Sequence, residues 1–166
     1  MPGIILSRGS IVTETRLRTP IPNGFDRSPL SAGKLAECDK WRRAHPRADH
    51  RRGAMSSHYN CHGLTFASRR TEINDPQVVR TILEEDDYRK ISRADLLIGD
   101  TVIYVERGDV SHSGIVVSVP PLDTQIVDAL AGVRVLSKWG EGQEVIHDVR
   151  DCPYPADSHE FWRVHK

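Results

Sequence analysis

An excess of charge is the first thing this sequence lacks: 23 basic residues face 23 acidic ones, so no net field draws the chain to nucleic acid or an anionic membrane. No apolar run approaches the roughly 18 residues of a membrane-crossing helix. Near the start, Ile4-Ile5-Leu6 meets Ser7-Arg8 at once and cannot serve as a signal-peptide core. Cysteine is scarce and odd in number, with Cys38, Cys61 and Cys152 at spacings that match no disulfide framework. These absences predict a cytoplasmic protein, or one exported by a signal-independent route, with neither membrane nor nucleic acid as partner. They leave its oligomeric state open.

What is present is a length of 166 residues with 38% hydrophobic content, enough for one domain with a real core. Residues 1–54 read as a partly irregular arm that wraps the domain of residues 55–166. Within the arm, Ile11 to Leu17 alternates like an edge strand. Thr19-Pro20-Ile21-Pro22-Asn23-Gly24 and Ser28-Pro29-Leu30-Ser31-Ala32-Gly33 then interrupt any regular element. Leu35, Cys38 and Trp41 fall at helical spacing over 34–44, and the basic stretch Arg42 to Arg52 reads as a solvated loop.

Met55-Ser56-Ser57-His58 reads as loop, and Tyr59-Asn60-Cys61-His62-Gly63-Leu64 turns from that loop into a helix at Cys61. A thiol at a helix start is favoured as thiolate by unpaired backbone N–H groups, which makes Cys61 the candidate nucleophile. Asn74-Asp75-Pro76 caps a second helix whose apolar face is Val78, Val79, Ile82 and Leu83, with Glu84 to Asp87 as its solvated end. Gly99-Asp100 then leads a β-rich run to Val105. Ser111-His112-Ser113-Gly114 opens a second strand that Pro120-Pro121 closes, and Val133 to Trp139 makes a third. Helices first and an antiparallel meander after them give an α+β fold. Trp139, Tyr154, Phe161 and Trp162 are expected to anchor a short C-terminal segment over the open end of the sheet.

Asn60-Cys61-His62-Gly63 opening a helix, Gly99-Asp100-Thr101-Val102-Ile103-Tyr104 leading a strand and His112-Ser113-Gly114-Ile115-Val116 opening the next resemble the NlpC/CHAP branch of papain-like cysteine peptidases and amidases over roughly residues 55 to 140. The resemblance implies a papain-like helix packed on a small antiparallel sheet, with Cys61 as nucleophile and His112 as base. It also implies a third polar residue on the following strand, behind the imidazole. Asp128 suits that task by chemistry and Ser137 by strand position, with His147 further on. The oxyanion would meet the Cys61 N–H and a donor from His58, Tyr59 or Asn60, while Lys138 and Trp139 are candidates to bind substrate. The implied reaction is hydrolysis of an amide or isopeptide bond in a peptide or protein. Peptidoglycan peptide is the family's common target, and neither cofactor nor metal is needed.

Two other readings fit parts of the sequence. One is a catalytically inactive papain-like binding module. The other is a metal protein, since His58, Cys61 and His62 lie within five residues, with His112, His147 and Cys152 downstream. Structural zinc sites pair Cys-x-x-Cys or His-x-x-x-His spacings, however, and beside His58 and His62 no second such pair recurs.

Overall fold

The computed structural model describes residues 8–52, 55–121 and 128–165. The Ile4-Ile5-Leu6 run and the expected boundary after residue 54 lie outside the described residues. A short ribbon pairs β1 (Arg8–Gly9) with β2 (Phe25–Asp26). Helix α1 (Ala32–Ala44) follows, starting earlier than the apolar spacing indicates because Ser31 caps it by accepting from the Lys34 N–H. Next come β3 (Asp49–Arg52), α2 (Cys61–Phe66) and α3 (Pro76–Glu85), and then the strands β4 (Tyr88–Ile91), β5 (Thr101–Glu106), β6 (Asp109–Ser118), β7 (Arg134–Lys138), β8 (Glu144–Asp148) and β9 (Ser158–Val164).

One seven-stranded antiparallel sheet, in the order β3-β8-β7-β6-β5-β9-β4, organises this α/β mixture. β5 to β8 form the expected meander, extended by one strand. β9 departs from expectation: instead of merely docking its aromatics, it pairs along β5 and carries β4 on its far side. The basic stretch departs too, since its last residues form β3 against β8, and Arg42 and Arg43 both pair with Asp39.

Period-two alternation in β5 divides the core between the two sheet faces. Ile103 and Val105 join Val110 and the buried α3 residues Val79, Ile82 and Leu83 on one face, while Val102 and Tyr104 join Val116, Val135, Val149 and Phe161 on the other. The stretch Ile11 to Leu17 is not an edge strand. It makes a tight loop in which Val12 and Leu17 stay exposed, held by Thr15 on Glu85 and by the Arg16 N–H on Asp86 at 2.7 Å. The acidic end of α3 thus receives the arm instead of standing free in solvent. The arm is also tied to the chain that follows α2, where Thr71 Oγ1 bonds Asn23 Oδ1 and the Gly24 carbonyl, each at 2.8 Å.

Candidate active site

Cys61 occupies the first turn of α2 because Asn60 caps that helix, its Oδ1 accepting from the Gly63 N–H at 2.9 Å and the Ile73 N–H at 3.1 Å. The capping bonds consume Asn60, whose Nδ2 donates to the Ile73 carbonyl, so its side chain is no oxyanion donor. Tyr59 is consumed as well, donating to Glu144 Oε1 at 2.7 Å. His58 packs against the Phe25 ring, and its Nδ1 is buried without a partner.

Helix α2 lies on the sheet face to which Ser113 points: Ser113 Oγ is 2.8 Å from His62 Nδ1 and 3.1 Å from Thr65 Oγ1. The Cys61 sulfur is buried there. Burial pushes its thiol up to about 11, against the pull of the Ser113, His62 and Cys61 amides and the Ser113 hydroxyl, all of which favour the thiolate. The low thiol pKa expected of a helix start is therefore reversed, because desolvation outweighs the amide donors.

His112 precedes Ser113, so alternation along β6 sends its ring to the opposite face. It lies flat against Tyr154 with centroids 4.2 Å apart and 8° between planes, and edge-on to Tyr104 at 5.2 Å. Both ring nitrogens are buried without a hydrogen-bond partner, and burial, then the neighbouring His147 and His62, hold its pKa well below the usual histidine value. Pairing of β6 with β7 covers only Ile115 to Ser118, so His112 and Ser113 occupy the part of β6 beyond that pairing. A thiolate at Cys61 would raise the pKa of both Cys152 and Tyr154, so the sulfur lies within electrostatic reach of the loop stacked on His112.

Neither candidate for the third position bonds His112. Asp128 is exposed and paired with Arg150 at 2.8 Å, which holds its carboxyl below the usual range. Ser137 is buried, but its Oγ lies 2.8 Å from His147 Nε2. β7 and β8 are neighbours and their side chains on this face meet directly, whereas β7 has already left β6 at the level of His112. His147 Nδ1 is 2.8 Å from the Asp148 carbonyl, which makes it the N–H side of the ring and leaves Nε2 with the lone pair.

Lys138 is not a solvated strand end. It is 1% exposed, its Nζ donates to the Gly142 carbonyl at 2.6 Å and sits 4.9 Å from the Tyr59 ring centroid, and burial pushes its pKa down to about 8. Trp139 forms part of the wall of a cavity of about 380 Å³, shared with Leu35, Cys38, Trp41, Met55 and Val145. On its other side Trp139 stands 5.1 Å from the His147 ring. Tyr154, which the sequence offers only as a docking aromatic, is the residue missed: its ring covers His112 and its hydroxyl accepts from the Gly140 N–H at 2.8 Å. The Cys-Pro-Tyr-Pro turn at 152–155 marks a rigid loop but not what the loop covers. Compared with known proteins, the chain matches no family model, no curated protein and no solved structure.

Proposed function

We propose that this chain is a cysteine hydrolase that cleaves an amide or isopeptide bond through Cys61 and His112. The observation that carries the reading is the burial of the Cys61 thiol and the His112 imidazole, both neutral, near one point of β6, where the amide of Ser113, next to His112, favours the Cys61 thiolate. The two are not hydrogen-bonded to each other here, since neither His112 ring nitrogen has a partner; a neutral thiol and a neutral imidazole are the starting state of a general-base mechanism once substrate brings them together. His112 takes the S–H proton as sulfur attacks the carbonyl carbon, and the leaving amine departs with that proton. Water then hydrolyses the thioester by the reverse transfer. The amides of Cys61 and His62, the first two of α2 and outside its internal ladder, already point at the sulfur and are the donors suited to the oxyanion.

Tyr154 replaces a third catalytic residue in this reading, fixing the imidazole plane by stacking rather than by a hydrogen bond. The apolar cavity at Trp139, whose wall includes neither Cys61 nor His112, would take a side chain of a peptide or protein substrate away from the scissile bond.

An electrophilic peptide probe, such as a peptidyl vinyl sulfone read by intact mass, tests the reading. One adduct per chain on Cys61 is expected, absent in Cys61→Ala and at least about 100-fold slower in His112→Gln. Labelling of Cys38 or Cys152 at the same rate, or full-rate labelling in His112→Gln, would overturn it in favour of an inactive binding module.

A further inference from the structure

Behind His112 the sheet gathers polar groups that are buried without partners. His112 is fully buried and neither of its ring nitrogens has a partner; the Tyr104 hydroxyl, in the ring packed edge-on to it, has none either. Buried polar atoms are nearly always hydrogen-bonded, so two such residues in contact call for an explanation. His112, His147 and Cys152 each offer one donor atom here, and the three atoms lie within 4.8 Å of one another. We propose that His112, His147 and Cys152 form a binding site for a thiophilic divalent cation of the zinc class, and that its occupancy shuts off the Cys61 site.

The surroundings of each residue suit a ligand. His147 gives its Nδ1 proton to the Asp148 carbonyl, the backbone partner that commonly orients a metal-binding imidazole, and keeps the Nε2 lone pair toward Ser137. For that lone pair to reach an ion, the buried Ser137 side chain must swing its oxygen away from Nε2, where it now lies at 2.8 Å. His112 has no competing bond to break. Cys152 starts the loop that carries Tyr154 and forms no disulfide. A tetrahedral ion with bonds of about 2.0 to 2.3 Å spaces its ligands about 3.4 Å apart, so the three donors, within 4.8 Å of one another, need to close by up to about 1.4 Å. Binding takes two imidazole lone pairs and one thiolate, the thiol proton leaving to solvent, and three protein ligands leave a fourth position for water. The sequence offers these three residues only as an addition to His58, Cys61 and His62, because their meeting depends on how β6, β8 and the following loop are brought together.

The regulatory half of the inference rests on the hydrolase reading, since an ion held by His112 removes the lone pair that would take the Cys61 proton. The metal half does not, and cobalt(II) tests it directly. The full chain, stripped with chelator, is expected to bind one cobalt per molecule with a thiolate-to-metal charge-transfer band that zinc bleaches. That band should persist in Cys38→Ser and Cys61→Ala and vanish in Cys152→Ser. Affinity should fall at least about 100-fold in His147→Gln. Cys152→Ala serves as a second thiol deletion, with circular dichroism confirming that each variant is folded. Absence of the band in the wild-type chain, or its survival in both Cys152 variants, would overturn the site. Equimolar zinc should slow labelling of Cys61 by the peptidyl probe at least tenfold in the wild type and leave the ratio near one in Cys152→Ser. Cobalt binding without that slowing would overturn the regulation while leaving the ion site intact, and failure of the probe to label Cys61 at all would count against the hydrolase alone.

Discussion

An ammonium taken out of water costs stability unless its hydrogen bonds and counter-charges replace hydration, and Lys138 is only partly compensated, by the Gly142 carbonyl, the face of Tyr59 and the field of Glu141, Glu144 and Glu72. With its pKa pushed down to about 8, the native chain releases this proton at a pH where the unfolded chain, near 10.5, still holds it. Between those values the unfolded state binds more protons, so this residue's contribution to stability rises with pH, by about 3 kcal/mol in total; below pH 8 it is flat. Urea denaturation at pH 7 to 10 should therefore show Lys138→Met more stable than the wild type at pH 7 and the difference shrinking above pH 8. Parallel curves would remove the assigned cost. At the other end of the site, Tyr154 covers His112 and lies near enough to Cys61 to feel its charge. Tyr154→Ala should speed iodoacetamide labelling of Cys61 on the order of tenfold by admitting solvent, while Tyr154→Phe, which keeps the ring, should change it little. Equal rates in all three would mean that the ring is not the cover.

Elements meet in this fold where a side chain is absent. A Cβ on Gly63 would lie 1.8 Å from the Thr71 carbonyl oxygen, so α2 can pack on the chain that leaves it only with glycine at this position. Gly114 does the same for β6, where a Cβ would come within 2.4 Å of Val135 and 2.9 Å of the Leu136 carbonyl. Gly63→Ala is expected to cost about 3 kcal/mol or more, beyond ordinary overpacking, because the obstacle is backbone that is itself tied through Thr71 to the arm. Equilibrium unfolding measures it, and a loss below about 1 kcal/mol would show that the loop yields. Both glycines stand in the short motifs around Cys61 and His112, and those motifs are where the sequence is most legible. Asn60, Cys61 and Gly63 carry cap, thiol and close approach within four residues, and Asp75-Pro76 starts α3 by equally local chemistry. Partners set by strand register are not legible in this way. Ser137 was a reasonable companion for His112 on order along the chain, yet it meets His147, because which of two neighbouring strands a side chain faces depends on where β6 and β7 cease to pair.

At the scale of the whole molecule the same limit explains β8 and β9. Their strand character is weak locally, with charged or histidine residues at three of the five positions of β8 and three of the seven of β9, and β9 reaches a partner, β5, more than fifty residues earlier. What locks that long-range pairing is Asp100, which the sequence offers only as the lead-in to β5. It is 4% exposed, accepts from Arg163 through both carboxylate oxygens at 2.7 Å, and also accepts the Leu97 N–H at 2.7 Å. Arg163 closes the circuit by donating to the Asp95 carbonyl. A two-pronged guanidinium–carboxylate pair with one partner buried joins the turn before β5 to the end of β9, and β9 alone connects β4 to the rest of the sheet. Asp100→Asn keeps the volume but removes the charge and one acceptor oxygen. The expected loss is about 2 to 3 kcal/mol, less than for a fully buried pair because Arg163 remains 31% exposed on its side chain. Hydrogen exchange should locate that loss, with amides of β4 and β9 opening together while β6 and β7 keep their protection. The Cys61 and His112 end of the molecule would then stay closed in the variant. A uniform loss of protection across all seven strands would instead make the Asp100–Arg163 pair a keystone of the entire sheet.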